Sequence, residues 1–246
     1  MAKLTSKQID TITNEFYSCF CGINLLETKN GISFHCIDSR NDEVRGFGCK
    51  YSIYILLKED ACIVSYAPQY EDFFERLKDG SVDDILTAVE AVFQIKKMQL
   101  MIFRQEYVQE YGDARVLKKS DYPLYEEFFR SNSPKINSLG WLKDYFEEKA
   151  EKEYFVGYVQ DGKLVSVCDA PDMPYMENII QHTGIVTLKS ERRKGYAKRT
   201  AAMAAHHLIE NGICPQWECH VSNTASIALA ESIGYEKYGV AYIFEE

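Results

Sequence analysis

The feature that most constrains the fold of this 246-residue chain is a basic turn that joins a strand to a helix. The apolar residues 184–188 predict the strand, and the alanine-rich residues 197–209 predict a helix that ends at residues 211–212. The turn between them contains Arg192 and Gly195. A helix start leaves backbone N–H groups unpaired and carries partial positive charge, and a glycine lets a phosphate approach the backbone closely. The turn is therefore a candidate cradle for a pyrophosphate group.

A second block downstream adds a strand, a capped helix and a terminating glycine. Residues 215–221 predict the strand, Asn223 caps the helix, and Gly234 ends it. Together the two blocks resemble the GNAT superfamily of acetyl-CoA-dependent N-acyltransferases, through Arg192-x-x-Gly195-x-Ala197, then Asn223, then Gly234-Tyr235. The resemblance covers residues 113–246. Within it, a finer similarity to zwittermicin-type antibiotic-resistance acetyltransferases depends on three short motifs: Thr187-Leu188, Pro215-x-Trp217-Glu218 and Asn223-x-x-Ser226.

The resemblance implies an α/β (α+β) fold with a central mixed sheet, in which acetyl-CoA binds where two neighbouring parallel strands separate. The residues that correspond to a cofactor site are Thr187, Leu188, Arg192, Arg193, Lys194, Gly195, Tyr196, Ala197, Lys198, Asn223 and Ser226. The function implied is direct transfer of an acetyl group from acetyl-CoA to a primary amine of a small molecule. Three alternatives stay open: acetylation of a protein amine, a non-catalytic acyl-CoA sensor, and an anion site for another nucleotide.

Transfer of an acyl group to an amine needs a hydrogen-bond donor for the developing oxyanion and a general base for the amine. The backbone of Leu188 or of its neighbour is the expected donor, because this strand separates from its partner and leaves N–H groups unpaired. The glutamate that the histone-acetylating branch carries on this strand falls on Gln181, which cannot accept a proton. Glu218 is therefore the first candidate for the base, and His182 is the second.

The sequence also offers candidates for the catalytic acid and for contacts to the acceptor. The tyrosine that many relatives use as an acid falls on Ala230, so Ser226, just inside the second helix, is a candidate catalytic acid. Three tyrosines are further candidates, although core packing explains each of them better: Tyr235, Tyr238 and Tyr242. Three carboxylates of a proline-bearing segment are candidates for recognition of an acceptor ammonium group: Asp169, Asp172 and Glu177.

Composition limits the partners and the compartment. The net charge of −9 argues against nucleic acid as a partner, because phosphate backbones need clustered Lys and Arg. The eight cysteines include no Cys-x-x-Cys pair and several lie in apolar strands, so we expect reduced thiols, a cytoplasmic protein and no metal site. No apolar run is long enough to span a bilayer and no secretory pattern opens the chain, so we expect no membrane partner.

The chain is predicted to form two domains. Residues 1–111 form a smaller α+β domain of unknown role, and residues 112–246 form the GNAT domain, with a junction near Gln109. The first domain carries no catalytic motif and is a candidate for a substrate-side domain, for the interface of a homodimer, or for a degenerate copy of the second. The local predictions are a hairpin over residues 51–57 and 61–66, a helix capped by Ser81 and Asp84, a strand at residues 114–117, helices at residues 120–129 and 141–146, and a hairpin turned by Asp161-Gly162.

Overall fold

The computed structural model describes residues 2–104, 110–136 and 139–246. Within these ranges the chain folds into seven α-helices and eleven β-strands. In chain order they are α1 (Ser6–Cys21), β1 (Gly31–Cys36), β2 (Tyr51–Lys58), β3 (Ala61–Tyr66), α2 (Glu71–Glu75), α3 (Val82–Val92), β4 (Ile95–Phe103), β5 (Ala114–Val116), α4 (Tyr122–Asn132), α5 (Leu142–Glu151), β6 (Val156–Gln160), β7 (Lys163–Cys168), β8 (Ile180–His182), β9 (Ile185–Thr187), α6 (Tyr196–Glu210), β10 (Cys214–His220), α7 (Thr224–Ile233) and β11 (Tyr235–Glu245).

Local signals in the sequence account for many of these boundaries. Ser81 and Asp84 form the predicted capping box at the start of α3, where the Ser81 hydroxyl accepts a hydrogen bond from the Asp84 N–H at 3.2 Å. Asp161 and Gly162 have φ angles of 50° and 77°, the left-handed pair that a two-residue turn between β6 and β7 requires. The two predicted hairpins, β2 with β3 and β6 with β7, are confirmed.

The strands form a seven-stranded mixed sheet, in the order β1-β3-β2-β11-β4-β10-β8, and a four-stranded antiparallel sheet, in the order β5-β6-β7-β9. The predicted α/β fold with a central mixed sheet is confirmed. β4 lies between β10 and β11 and pairs with both in the antiparallel direction. Backbone hydrogen bonds therefore cross the boundary predicted between residues 111 and 112. The division into two domains stays a prediction, and Gln109 lies outside the described residues.

The predicted strand at residues 184–188 lies where the two sheets meet. β8 pairs in parallel with β10, and this pairing ends at a hydrogen bond from the Thr183 N–H to the Gln216 carbonyl at 2.9 Å. From Gly184 onward the chain pairs with β7 instead, beginning at a 3.0 Å bond from the Asp169 N–H to the Gly184 carbonyl. β9 therefore departs from β10, and a gap opens between the two strands.

Helices cover both faces of the sheets beside this gap. α4 and α5 bury Tyr125, Phe128 and Phe146 against one face of the four-stranded sheet. α6 buries Ala204 against the other face, while Ala201, Ala202 and Ala205 of the same helix belong to the core of the larger sheet. α1 packs Tyr17 and Phe20 across β2, β4 and β10 of the larger sheet. Among the described residues, no helix is long and apolar enough to cross a lipid bilayer.

Candidate functional site

A cleft of about 700 Å³ opens beside the gap between β9 and β10. Its walls are β9, the turn that follows β9, and the first turns of α6 and α7. Nine of the predicted cofactor residues line it: Thr187, Arg192, Arg193, Gly195, Tyr196, Ala197, Lys198, Asn223 and Ser226. Leu188 and Lys194 are not among its lining residues. The structure therefore brings the two sequence blocks together on one surface.

The backbone of the turn before α6 is arranged to bind an anion. Arg193 and Gly195 have left-handed φ angles of 62° and 83°, and α6 begins directly after them at Tyr196. Turns with left-handed residues gather N–H groups into anion-binding concavities, and the first turn of a helix has no internal acceptors for its own N–H groups. In the described part of the chain, no hydrogen bond occupies the N–H groups of residues 192–198. An anion in the cleft therefore meets a set of unpaired donors.

Side chains add positive charge to this backbone. Within the described ranges, Arg193 and Lys198 line the cleft and form no ion pair. The Arg192 Nε donates to the Thr187 carbonyl at 3.4 Å, which ties the turn to β9. The Lys194 ammonium is instead held by Glu191 at 2.8 Å. In a chain of net charge −9, the cleft is thus a local concentration of positive charge that favours an anionic ligand.

Of the two positions expected for the oxyanion donor, the structure excludes Leu188. The Leu188 N–H donates to the Val165 carbonyl of β7 at 3.0 Å, and its side chain packs against the core beneath α4 and α5. Hydrogen bonds between antiparallel strands alternate along each strand, and the bonds at Gly184 and Leu188 fix that alternation for β9. The N–H groups of Ile185 and Thr187 therefore point away from β7 and toward the cleft. Thr187 is the neighbour that offers a free donor.

Glu218 lies on β10, just beyond the last hydrogen bond between β8 and β10. Its Oε2 accepts a hydrogen bond from the Gln216 Nε2 at 3.1 Å, and the same nitrogen donates to the Tyr17 hydroxyl at 2.9 Å. Burial raises the pKa of the Glu218 carboxyl, and the hydrogen bond from Gln216 acts in the opposite direction. The carboxylate is therefore fixed by a side chain that also contacts α1, and it is more basic than an exposed glutamate.

His182, the second candidate base, ends β8 beside Glu218. Burial lowers the pKa of its imidazole to about 4, and a hydrogen bond with the backbone of Glu218 acts in the opposite direction. The ring is therefore neutral at physiological pH. Its Nδ1 is buried and has no hydrogen-bond partner among the described residues.

The two positions on which the sequence resemblance places a base and an acid are structural here. Gln181 is buried, and its Nε2 donates to the Pro171 carbonyl at 2.9 Å. Ala230 is fully buried in α7. Ser226 lines the cleft, its Oγ accepts a hydrogen bond from the Trp217 Nε1 at 3.1 Å, and its hydroxyl also hydrogen-bonds to the Cys219 thiol.

Two of the three candidate tyrosines, Tyr235 and Tyr238, are buried and hydrogen-bonded within the core. The Tyr235 hydroxyl hydrogen-bonds to the Thr183 Oγ1 at 2.8 Å, and its ring is buried. The Tyr238 hydroxyl donates to the Asn14 Oδ1 at 2.9 Å, and its ring stacks on Tyr17. Burial raises the pKa of both hydroxyls far above the neutral range. Of the alternative acids, Ser226 is the one that lines the cleft.

Known proteins resemble this chain in sequence and in structure. The family model for GNAT acetyltransferases matches residues 58–242. The uncharacterized N-acetyltransferase YdfB of Bacillus subtilis (strain 168) is 29% identical over 124 residues, which cover 49% of this chain and 44% of YdfB. The chain thus spans less than half the length of this relative.

Two solved structures align with nearly the whole chain. An acetyltransferase of the GNAT family from Colwellia psychrerythraea aligns with a TM-score of 0.56 and 13% identity, covering 99% of this chain and 98% of its own. A GCN5-related N-acetyltransferase-like protein from Streptococcus suis 89/1591 aligns with a TM-score of 0.46 and 15% identity, covering 98% of this chain and 99% of its own. The first of these alignments shows the fold, and the family model covers more than half of the sequence. The chain belongs to the GNAT acetyltransferase family.

Proposed function

We propose that this protein is an acetyl-CoA-dependent N-acetyltransferase that transfers the acetyl group directly to a primary amine of a small molecule. The observation that carries the proposal is the position of the anion-binding turn beside the gap between β9 and β10. The unpaired N–H groups of residues 192–198 fit a pyrophosphate, and the free edge of β9 fits an extended chain of amides such as pantetheine. Acetyl-CoA supplies an activated thioester when it is bound.

Three groups of the protein would share the chemistry. Transfer forms an amide C–N bond and breaks a thioester C–S bond, while the acceptor ammonium gives up two protons, of which one ends on the CoA thiol. The Thr187 N–H supplies the donor that a developing oxyanion needs. Glu218 takes a proton from the acceptor as general base, a task for which its raised pKa is suited. Ser226 lines the cleft and is the candidate acid.

We also propose that the chain belongs to the zwittermicin-type branch and that its acceptor is a small molecule. Trp217 and Ser226, which belong to two of the branch motifs, hydrogen-bond to each other beside the cleft. A pocket of about 340 Å³ adjoins the cleft and shares Val186 and Arg192 with it. A volume of this size is typical of small-molecule sites.

Release of free thiol from acetyl-CoA across a panel of amines tests the proposal. Glu218→Gln keeps size and hydrogen bonding but removes basicity, so a base role predicts a fall in kcat of about 10²- to 10⁴-fold with little change in KM. His220→Gln is the matched control, because His220 is exposed on the same face of β10, and it should keep the wild-type kcat.

Two other outcomes would count against parts of this proposal. A Glu218→Gln variant with a higher acceptor KM and an unchanged kcat would assign Glu218 to anchoring the acceptor rather than to proton transfer. Tight CoA binding by the wild type with no turnover on any amine would contradict acetyl transfer and favour the acyl-CoA sensor.

A further inference from the structure

The pocket that adjoins the cleft has an apolar wall and a single acidic group. Its volume is about 340 Å³, and Val186 and Arg192 connect it to the cleft. Rings of α4 form the apolar wall: Tyr125, Phe128 and Phe129. Asp169 is the one carboxylate among the residues that line it. The pocket therefore combines a surface for a carbon skeleton with one negative charge.

Asp169, directly after β7, is a mostly buried carboxylate without a charge partner. Its backbone N–H donates to the Gly184 carbonyl, but within the described ranges no hydrogen bond or ion pair joins its carboxylate to another side chain. Burial raises the pKa of this carboxyl to about 6. A buried carboxylate that is ionised at neutral pH is costly unless a cation pairs with it.

The other two carboxylates of the same segment already have partners. Asp172 pairs with the Lys149 ammonium, and Glu177 accepts from the Lys152 ammonium at 3.2 Å. Both carboxylates are also more exposed than Asp169. Asp169 is thus the one of the three that still requires a cation.

His182 lies beside Asp169 but outside the pocket. A Cβ on Gly184 would lie 2.8 Å from the Asp169 Oδ1 and 3.3 Å from the His182 Nδ1, so both side chains pack against the Gly184 backbone. The His182 Nδ1 is buried, and His182 is not among the residues that line the pocket. Asp169 is therefore the acidic group that a ligand in the pocket meets.

We propose that Asp169 binds the ammonium group of the acceptor, with the aromatic rings of α4 around its carbon skeleton. Asp169 supplies the compensating charge for the ammonium. The acceptor class is a primary amine with an apolar body and a single positive charge, because Arg192 lines the same pocket and repels a second cation. This inference rests on the proposed function and names the substrate class of that site.

The groups that face Asp169 keep their charge states between about pH 5 and pH 8. Burial raises the pKa values of its phenol and thiol neighbours from α4, α5 and β7, which stay neutral: Tyr125, Tyr145 and Cys168. The imidazole of His182 stays neutral because burial lowers its pKa to about 4. The cations nearby are Arg192 in the pocket wall and Lys149 of α5, beside the Tyr145 ring. Asp169 and the proposed base Glu218, whose pKa burial also raises, are therefore the carboxyls whose ionisation controls the affinity for an ammonium, and Asp169→Asn separates their contributions.

Isothermal titration calorimetry of the protein, with and without saturating CoA, tests the proposal with three probes: phenethylamine, the neutral 2-phenylethanol and the dication 1,4-diaminobutane. Near pH 8, phenethylamine should bind about 10-fold more tightly than either of the others. Its affinity should fall about 10-fold per pH unit below about pH 6, as Asp169 becomes protonated. Asp169→Asn should weaken phenethylamine binding about 10- to 100-fold. Asp172→Asn, in the same segment but paired with Lys149, should bind phenethylamine like the wild type.

Wild-type affinity for phenethylamine in Asp169→Asn, or equal affinity of the wild type for all three probes, would overturn the proposal. A measurement on the wild type covers the case in which Asp169→Asn does not fold: with ¹³C-labelled aspartate, phenethylamine should shift the side-chain carboxyl resonance of Asp169, and an unchanged resonance also overturns the assignment. The CoA titration separates the two levels of inference. CoA binding without phenethylamine binding refutes the ammonium site alone, whereas phenethylamine binding without CoA binding refutes the proposed function alone.

Discussion

Replacement of Asp169 by asparagine should stabilise the protein above about pH 6, although it removes the group assigned to the acceptor. Burial raises the pKa of Asp169 from its ordinary 3.8 to about 6, so the folded state binds this proton more tightly than the unfolded state does. For a carboxyl with a raised pKa, the stability that it contributes is fully present below the unfolded pKa and is lost as pH rises through the folded pKa. Asparagine does not ionise, so it avoids this loss.

The magnitude follows from the two pKa values. They differ by about 2 units, and each unit corresponds to about 1.4 kcal/mol, so ionised Asp169 costs the folded state at most about 3 kcal/mol near pH 8. Near pH 4.5 the cost falls to about 1 kcal/mol, because the carboxyl is protonated in the folded state and the pH lies less than one unit above the pKa of the unfolded state. The difference between the two pH values is diagnostic, since any change in local hydrogen bonding from the new amide contributes at both.

Urea denaturation of the wild type and of Asp169→Asn, near pH 4.5 and near pH 8, measures this difference. We expect the gain in the free energy of unfolding to be about 2 kcal/mol larger at the higher pH. Asp172→Asn should show no such gain, because its carboxylate is already paired with Lys149. A gain for Asp169→Asn that is the same at both pH values, or a loss near pH 8, would refute the reasoning, because Asp169 would then have a compensating partner.

Two further predictions concern the frame of the cleft. A fragment of residues 112–246 should not bind CoA, because β10 and β11 would both lose β4 as a partner strand. Calorimetry measures the CoA affinity of the fragment. A folded fragment that binds CoA as tightly as the whole chain would contradict this prediction. At Gly195 an added Cβ would meet no atom within 4 Å, so only the left-handed φ of 83° restricts substitution, and asparagine tolerates that φ. Gly195→Asn should therefore keep the rise in Tm that CoA causes. Gly195→Glu should lose that rise, because its negative charge repels the pyrophosphate. Equal shifts in Tm for the two variants would show that the pyrophosphate binds elsewhere.

The features that could be predicted from the sequence are those with local causes. The capping box of Ser81 with Asp84 and the left-handed pair Asp161-Gly162 depend on residues within three positions of each other. The anion-binding turn is local too, because the strand, Gly195 and the first turn of α6 follow one another in the chain. Periodicity and turn residues were therefore sufficient to predict the β9-to-α6 unit.

The features that could not be predicted depend on contacts between distant parts of the chain. Gln216 contacts Tyr17, which is 199 positions away, and nothing near either residue in the sequence indicates that contact. The insertion of β4 between β10 and β11 likewise depends on pairing across the whole chain. The sequence could not show which of three carboxylates is free to bind an ammonium. The structure shows it, because Lys149 of α5 pairs with Asp172 and Lys152, which follows α5, pairs with Glu177. Local patterns do not encode which lysine neutralises which carboxylate.

The most direct test of acetyl transfer is to incubate the protein with acetyl-CoA and phenethylamine and to quantify N-acetylphenethylamine and free CoA thiol in the same samples. We predict that the two products appear in equal amounts, that their rate depends on both substrates, and that Glu218→Gln lowers the rate about 10²- to 10⁴-fold. Thiol release without the acetylated amine would show hydrolysis instead of transfer. Absence of both products with phenethylamine and with every other amine of the panel, in a protein that binds CoA, would contradict the assignment as an N-acetyltransferase.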